Sequence, residues 1–306
     1  MPSTASMHEL DANQVHYAWD NSIAPRLEIE PGDTVVFQTR DAADGFYSRA
    51  STHADVLNRG PFRGHPLTGP VQVKGAEPGD ALVVEVLDIK PAADFGWTAI
   101  RPGRGLLPES EFSKPFLQIW DLSDGTHARM DRRVAVPIEA FPGVMGTALD
   151  EPGAHSTMPP RKNGGNMDIK QLTRDSTLYL PVWMPGALFS VGDGHGAQGD
   201  GEACGTAIEC GMTTEAVVEL AAGRPLASIH AETPAGRVTF GFSADLNEAM
   251  GDALDAMVTW LASLYGTSRT EALAVASNCV DLRVTQVANV TWGVHALLPA
   301  GLLSVG

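Results

Sequence analysis

The sequence predicts a mainly β protein with a helical pair added late. Three observations carry this reading. The turn tetrapeptide Glu-Pro-Gly-Asp occurs twice beside alternating apolar residues, at 30–33 and 77–80. Glycine and proline, 32 and 21 residues, make about 17% of the chain against roughly 12% in average usage, which favours many short strands. Apolar residues at three- and four-residue steps are confined to the region after residue 245. In chain order, Leu27 and Ile29 alternate with polar residues into the first turn, and Thr34 to Thr39 form a second β-prone run ending at Asp41. Proline presets the turn's φ and glycine permits the positive φ after it. The second copy is followed by Ala81 to Asp88. In both, an aspartate follows the turn aspartate by eight residues, which suggests a duplicated hairpin. A looser third version spans 178–193, where the run after Pro185-Gly186 leads straight into Asp193. Residues 94–133 are turn-rich, with Trp97, Phe112, Phe116 and Trp120 read as core packing. Short strands return over 134–149, and 150–168, with three prolines, reads as an ordered loop. Leu246, Met250, Leu254, Met257, Leu261 and Leu264 then form one helical stripe, capped by Ser243 or Asp245. Ser268 with Glu271 has capping-box spacing and opens a second helix reaching about Asn278. Residues 282–290 return to strand alternation before a short apolar tail.

A chain of 306 residues holds one elaborate domain or two intimately packed ones. The expected division is a β-rich part over 1–150 and a second part over 151–306 that carries the late helices. The formal charge of −16 argues against nucleic acid and anionic membrane, since polyanions would be repelled. A small neutral substrate meets no such barrier. Cys204, Cys210 and Cys279 are odd in number and lack CxxC spacing, so neither a disulfide framework nor a thiolate zinc site is expected. With no signal-like start and no long apolar run, the expectation is a soluble, cytoplasmic protein.

The segment GDGHGAQGDGEACGTAIE, residues 192–209, crowds Asp193, His195, Gln198, Asp200, Glu202 and Glu209 among glycines beside a buried strand. Oxygen and nitrogen donors concentrated in this way point to a metal or hydrolytic site. Together with HPLTGPVQVKGAEPGD (65–80), GWTAIRPGRGLL (96–107), STMPPRKNGGNMD (156–168) and DLRVTQVANVTWGVHALLP (281–299), this segment resembles the acetamidase/formamidase family of amide hydrolases. The resemblance implies a jelly-roll-like β-sandwich combined with a smaller α+β part, and a homo-oligomer. It also implies cleavage of a short carboxamide, such as formamide or acetamide, to the acid and ammonia.

An unactivated amide needs a stronger nucleophile, a polarised carbonyl and a protonated leaving amine. One route uses a divalent metal, zinc first, with calcium, magnesium or manganese as alternatives. Asp193 and His195, two apart on an extended segment, share a face and read as ligands. Asp41, at the exit of the first hairpin, is a third candidate ligand, against the plainer reading that it caps its own turn. Glu202 is the candidate general base. Two glycines in NGGNMD let backbone approach a ligand closely; Asn166 is assigned to the substrate amide, and Asp168 to catalysis as a ligand or a hydrogen-bond acceptor for His195. Gln198 is a second candidate substrate contact. His65 and Asp200 are expected behind the primary groups. A second route makes Cys204 the nucleophile, although an acidic surrounding disfavours its thiolate. A lysine-activated serine, Ser156 with Lys162, lacks the serine-glycine run such enzymes need. A metal- or ligand-binding module without turnover is the remaining alternative.

Overall fold

The computed structural model describes residues 5–303; the first residues of the N-terminal stretch and the end of the apolar tail lie outside them. Both Glu-Pro-Gly-Asp segments close in the same way. Gly32 and Gly79 take φ of 90° and 96°, and the turn aspartate accepts from the amide of Glu30 at 3.1 Å or of Glu77 at 2.9 Å. The strands they launch, Asp33–Thr39 and Ala81–Pro91, flank Met212–Ala221 on its two sides. These three strands lie together toward one edge of a nine-stranded sheet. Outside them lie Met7–Leu10 on one edge and, on the other, Ser176–Pro181, His230–Thr233, Gly236–Ser243, Trp292–Pro299 and Asp281–Gln286. The similarity of the two copies ends at the second aspartate: Asp88 forms a surface pair with Lys90 at 3.7 Å, whereas Asp41 turns inward.

A five-stranded sheet faces this one. Its order is Gly164–Asn166, Phe141–Gly146, Phe189–His195, Leu67–Val73, Leu27–Ile29. Val35, Phe37, Leu82, Val84, Leu178 and Leu180 of the first sheet pack on Val71, Val73, Met145, Phe189 and Val191 of the second. Phe37 meets Phe189 edge-on, with ring centroids 5.7 Å apart. Each such buried side chain contributes roughly 1.5–3 kcal/mol, so the sandwich core is the main source of stability. Strands from before and after residue 150 enter both sheets, and the two parts expected from the sequence share that core. Strands between residues 95 and 137 form a four-stranded sheet, and Trp97 on its edge strand Phe95–Ile100 is buried.

The late helices are Leu246–Tyr265 and Arg269–Cys279. Asp245 caps the first by accepting from the amides of Asn247 and Glu248, and Gly266 ends it at φ 63°. The capping box of Ser268 and Glu271 is complete. The buried face of the first helix differs from the expected stripe. Leu264 is 43% exposed, while Ala249 and Ala253 are fully buried. The reason lies in the strand beneath: a Cβ at Gly241 would stand 2.0 Å from the Ala249 carbonyl oxygen and 2.7 Å from the Ala253 nitrogen. Helix and strand backbones touch, so the contact face must be glycine and alanine. Strand Trp292–Pro299 serves both layers, sending Val294, Ala296 and Leu298 to the helices and Leu297 to the sandwich core. No helix among the described residues is long and apolar enough to cross a membrane.

Candidate active site

The central strand of the five-stranded sheet ends in Gly192-Asp193-Gly194-His195, every residue buried. The strand is not regularly extended there. Asp193 takes φ 58°, and Asp168 and Glu202 also adopt the left-handed region, at 53° and 44°. Such backbone costs about 1–3 kcal/mol per residue and persists where surrounding structure holds it, commonly at functional sites. The close approach of Gly143 on the neighbouring strand clears the space they need. A Cβ there would lie 2.7 Å from Asp168 Oδ1 and 2.9 Å from Asp193 Oδ2.

Asp168, Asp193 and His195 each bring one donor atom within 4.8 Å of one another, as do His195, Glu202 and Glu209. His195 Nε2 lies 3.5 Å from Asp193 Oδ2 and 3.3 Å from Glu209 Oε2. Behind it, Nδ1 lies 2.9 Å from Gln198 Oε1, and Gln198 Nε2 donates to the Asp168 carbonyl at 2.8 Å. An amide oxygen only accepts, so Nδ1 carries a proton, and Nε2 faces the cluster, where it would offer a lone pair once its own proton is displaced. Among the buried atoms without a hydrogen-bond partner are Asn166 Oδ1, Asp168 Oδ1, Asp193 Oδ1, His195 Nε2, Glu202 Oε2 and Glu209 Oε2. Five of these are acceptor oxygens and the sixth is a ring nitrogen. Buried acceptors without donors cost about 1–3 kcal/mol each, more if charged.

Charge distribution gives the same reading. Burial pushes the Asp168 and Glu202 carboxyls well above their usual range, and the neighbouring carboxylates push further. Burial also raises Asp193, but the imidazoles of His65 and His195 outweigh it and hold that carboxylate low. For His195, burial lowers the pKa, yet Glu209 and Asp193 hold it well above the usual value. The cluster therefore retains protons to offset its own repulsion. A divalent cation would replace those protons and let the carboxylates ionise together. The orphaned acceptors, the imidazole fixed by a second residue and the clearance at Gly143 all fit such an ion.

Asp168, Asp193, Glu202 and Glu209 of the cluster line a cavity of about 110 Å³ together with His65, Trp97, Asn166 and Cys204, among others. Most of the residues singled out in the sequence converge here, with three differences. Asp41 stands apart from both donor groups. Its carboxylate accepts from the amides of Ala43 and Gly45 and from Trp97 Nε1, so it caps its own turn. Gln198 lies behind His195, away from the substrate space. Asp200 is partly exposed and pairs with Lys170 at 3.2 Å and Arg283 at 3.6 Å, outside the cluster. His65 does stand behind a primary group, with Nε2 3.7 Å from Asp193 Oδ2 and Nδ1 3.2 Å from Thr157 Oγ1. Glu209 belongs to the cluster but received no role from the sequence. It arrives through bridges to His195 and Trp97, a pairing that the six residues between it and Glu202 conceal.

Comparison with known proteins agrees with the geometry. The profile of the acetamidase/formamidase family matches residues 3–153 and 149–235. The acetamidase of Mycolicibacterium smegmatis is 30% identical, with the match covering 68% of this chain and 66% of that one. The chain thus spans about two thirds of the length of the curated relatives it matches. The crystal structure of an acetamidase from Bacillus halodurans superposes with a TM-score of 0.88 at 29% identity, covering 95% of this chain and 97% of that one. An acetamidase from Yersinia enterocolitica gives 0.89 at 28% identity, covering 99% and 95%. Profile, relatives and architecture coincide over most of the described chain, which therefore belongs to the acetamidase/formamidase family of amide hydrolases.

Proposed function

We propose that the protein hydrolyses a short aliphatic carboxamide, of the formamide or acetamide type, to the carboxylate and ammonia. In this reading Asp168, Asp193 and His195 hold a divalent cation and Glu202 is the general base. The supporting observation is the convergence of unpartnered buried oxygens and His195 Nε2 on one small cavity. A bound cation supplies Lewis acidity toward water and the amide carbonyl. An imidazole among carboxylates suits zinc, while the oxygen-rich remainder keeps calcium, magnesium and manganese as alternatives.

The chain's own groups do the rest. Asn166 donates through Nδ2 to the Met158 carbonyl at 2.8 Å, which fixes its amide plane and leaves Oδ1 to accept from the substrate's NH₂. Glu202 Oε2, buried and unpartnered, takes a proton from the attacking water and returns it to the departing nitrogen. Its raised pKa suits both halves of that transfer. A cavity of about 110 Å³ is far below the roughly 300–1,000 Å³ of drug-sized sites, which limits the substrate to a few heavy atoms. The thiol of Cys204 donates to the Thr206 carbonyl at 3.4 Å, with neither imidazole nor carboxylate bonded to it as an activating base, and this favours water as nucleophile.

The test is ammonia release from formamide, acetamide and propionamide, with metal content measured on the same sample. Glu202→Gln should lose at least about a hundredfold in kcat while retaining the metal. Wild-type turnover in that variant would remove the proposed base.

A further inference from the structure

The cavity that the carboxylates line is also lined by three groups of the opposite charge, Arg59, Arg101 and Arg104. This is unexpected in a chain with 37 acidic and 21 basic side chains. The ion pairs of the described residues engage Arg26, Arg40, Arg49, Arg129, Arg133, Arg174, Arg237, Arg269 and Arg283. The three cavity arginines form none of them. Arg101 is partly buried, and its Nε and Nη2 are fully buried without any hydrogen-bond partner. Those two atoms form the edge of the guanidinium that grips a carboxylate side-on. Arg59 is fixed beside it by donating to the Ala42 carbonyl and by lying over the Phe62 ring, 5.6 Å from its centroid. A desolvated, unpaired guanidinium costs free energy unless an anion meets it.

A neutral formamide or acetamide brings no anion to these guanidinium groups. We infer that the preferred substrates are small amic acids, carboxamides bearing a carboxylate at their far end, which Arg101 grips while the carboxamide faces Asn166 and Glu202. This rests on the amide-hydrolase reading above and adds the chemistry of the substrate's other end. Hydrolysis then converts an amic acid and water into a dicarboxylate and ammonia: a C–O bond forms, the C–N bond breaks, and no redox partner is needed. The small cavity admits the short members of the series, with none or one or two carbons between the two functional groups.

The experiment pairs each amic acid with its neutral diamide: oxamate with oxamide, malonamate with malonamide, succinamate with succinamide. Matching sizes leaves charge as the variable. At least one amic acid should exceed its diamide tenfold or more in kcat/KM, mainly through KM. Arg101→Gln should reduce that ratio tenfold or more, and Arg101→Lys should restore part of it, since a point charge replaces the fork. Circular dichroism and unfolding midpoints confirm that the variants are folded. Acetamide turnover with no amic-acid preference overturns the inference and leaves the amidase reading standing. If no amide is turned over, the amidase reading fails on its own. Calorimetry with malonate then decides the inference: binding that is lost in Arg101→Gln supports an anion-gripping Arg101, and absent or unchanged binding overturns it.

Discussion

A methyl group at position 143 would enter the space where the Asp168 and Asp193 carboxylates approach each other, 2.7 and 2.9 Å from their oxygens. Gly143 does not need a positive φ, but the same methyl would also stand 2.9 Å from the Asp193 backbone carbonyl oxygen, so Gly143→Ala shifts that strand as well as the two carboxylates. It is expected to fold and to bind metal about tenfold to a hundredfold more weakly, the usual cost of disturbing groups that support a metal site. Metal content after dialysis checks this, and undiminished loading would show that the two carboxylates do not share an ion. At this scale the sequence was partly legible. Asp193, His195 and Asp168 stood out because glycines leave polar groups no apolar cover. Glu209 did not, because its place depends on a long-range bridge to Trp97. Asp41 was misleading: an aspartate after a strand satisfies the same pattern whether it binds an ion or caps a turn. Gln198 was read as a substrate contact because sequence gives proximity to His195 but not the side of the ring on which a neighbour lies.

Elements were most readable where backbone chemistry is local. The two Glu-Pro-Gly-Asp turns and the Ser268–Glu271 capping box need only neighbouring residues, and they form as the sequence implies. The orientation of helix Leu246–Tyr265 was less readable, because large apolar residues dominate a periodicity while close contact selects small ones. Ala253 is fully buried where the helix crosses Gly241. Ala253→Leu should therefore destabilise the protein by about 1–3 kcal/mol through overpacking, lowering the urea midpoint. An unchanged midpoint would mean that helix and strand can separate freely, against the contact described. The choice of partner strands was not legible at all: Met212–Ala221 inserts between the two turn-launched strands from over a hundred residues away.

For the molecule as a whole, a buried histidine outside the cluster links stability to pH. His295 is fully buried in the strand Trp292–Pro299, with Nδ1 2.7 Å from Thr285 Oγ1 and Nε2 3.1 Å from Gln171 Nε2. Burial lowers its pKa to about 4 from 6.5. The folded state thus binds fewer protons than the unfolded chain between those values. Stability from this group is fully present above about pH 6.5 and is lost as pH falls toward 4, by on the order of 3 kcal/mol. Unfolding free energies across that range should fall with pH in the wild type and less steeply in His295→Asn; equal slopes would remove the assignment. The mainly β character was legible from turn spacing, whereas the strand order of the five-stranded sheet, which brings Gly164–Asn166 and Phe189–His195 to the two sides of Phe141–Gly146, was not.

The central claim is that the buried carboxylates and His195 hold a divalent cation on which amide hydrolysis depends. Metal analysis and ammonia release from acetamide, measured on one preparation before and after exhaustive chelation, test it most directly. The account predicts about one equivalent of metal, loss of hydrolysis with the metal, and recovery when zinc, manganese, magnesium or calcium is returned. Undiminished hydrolysis by fully demetallated protein would contradict it.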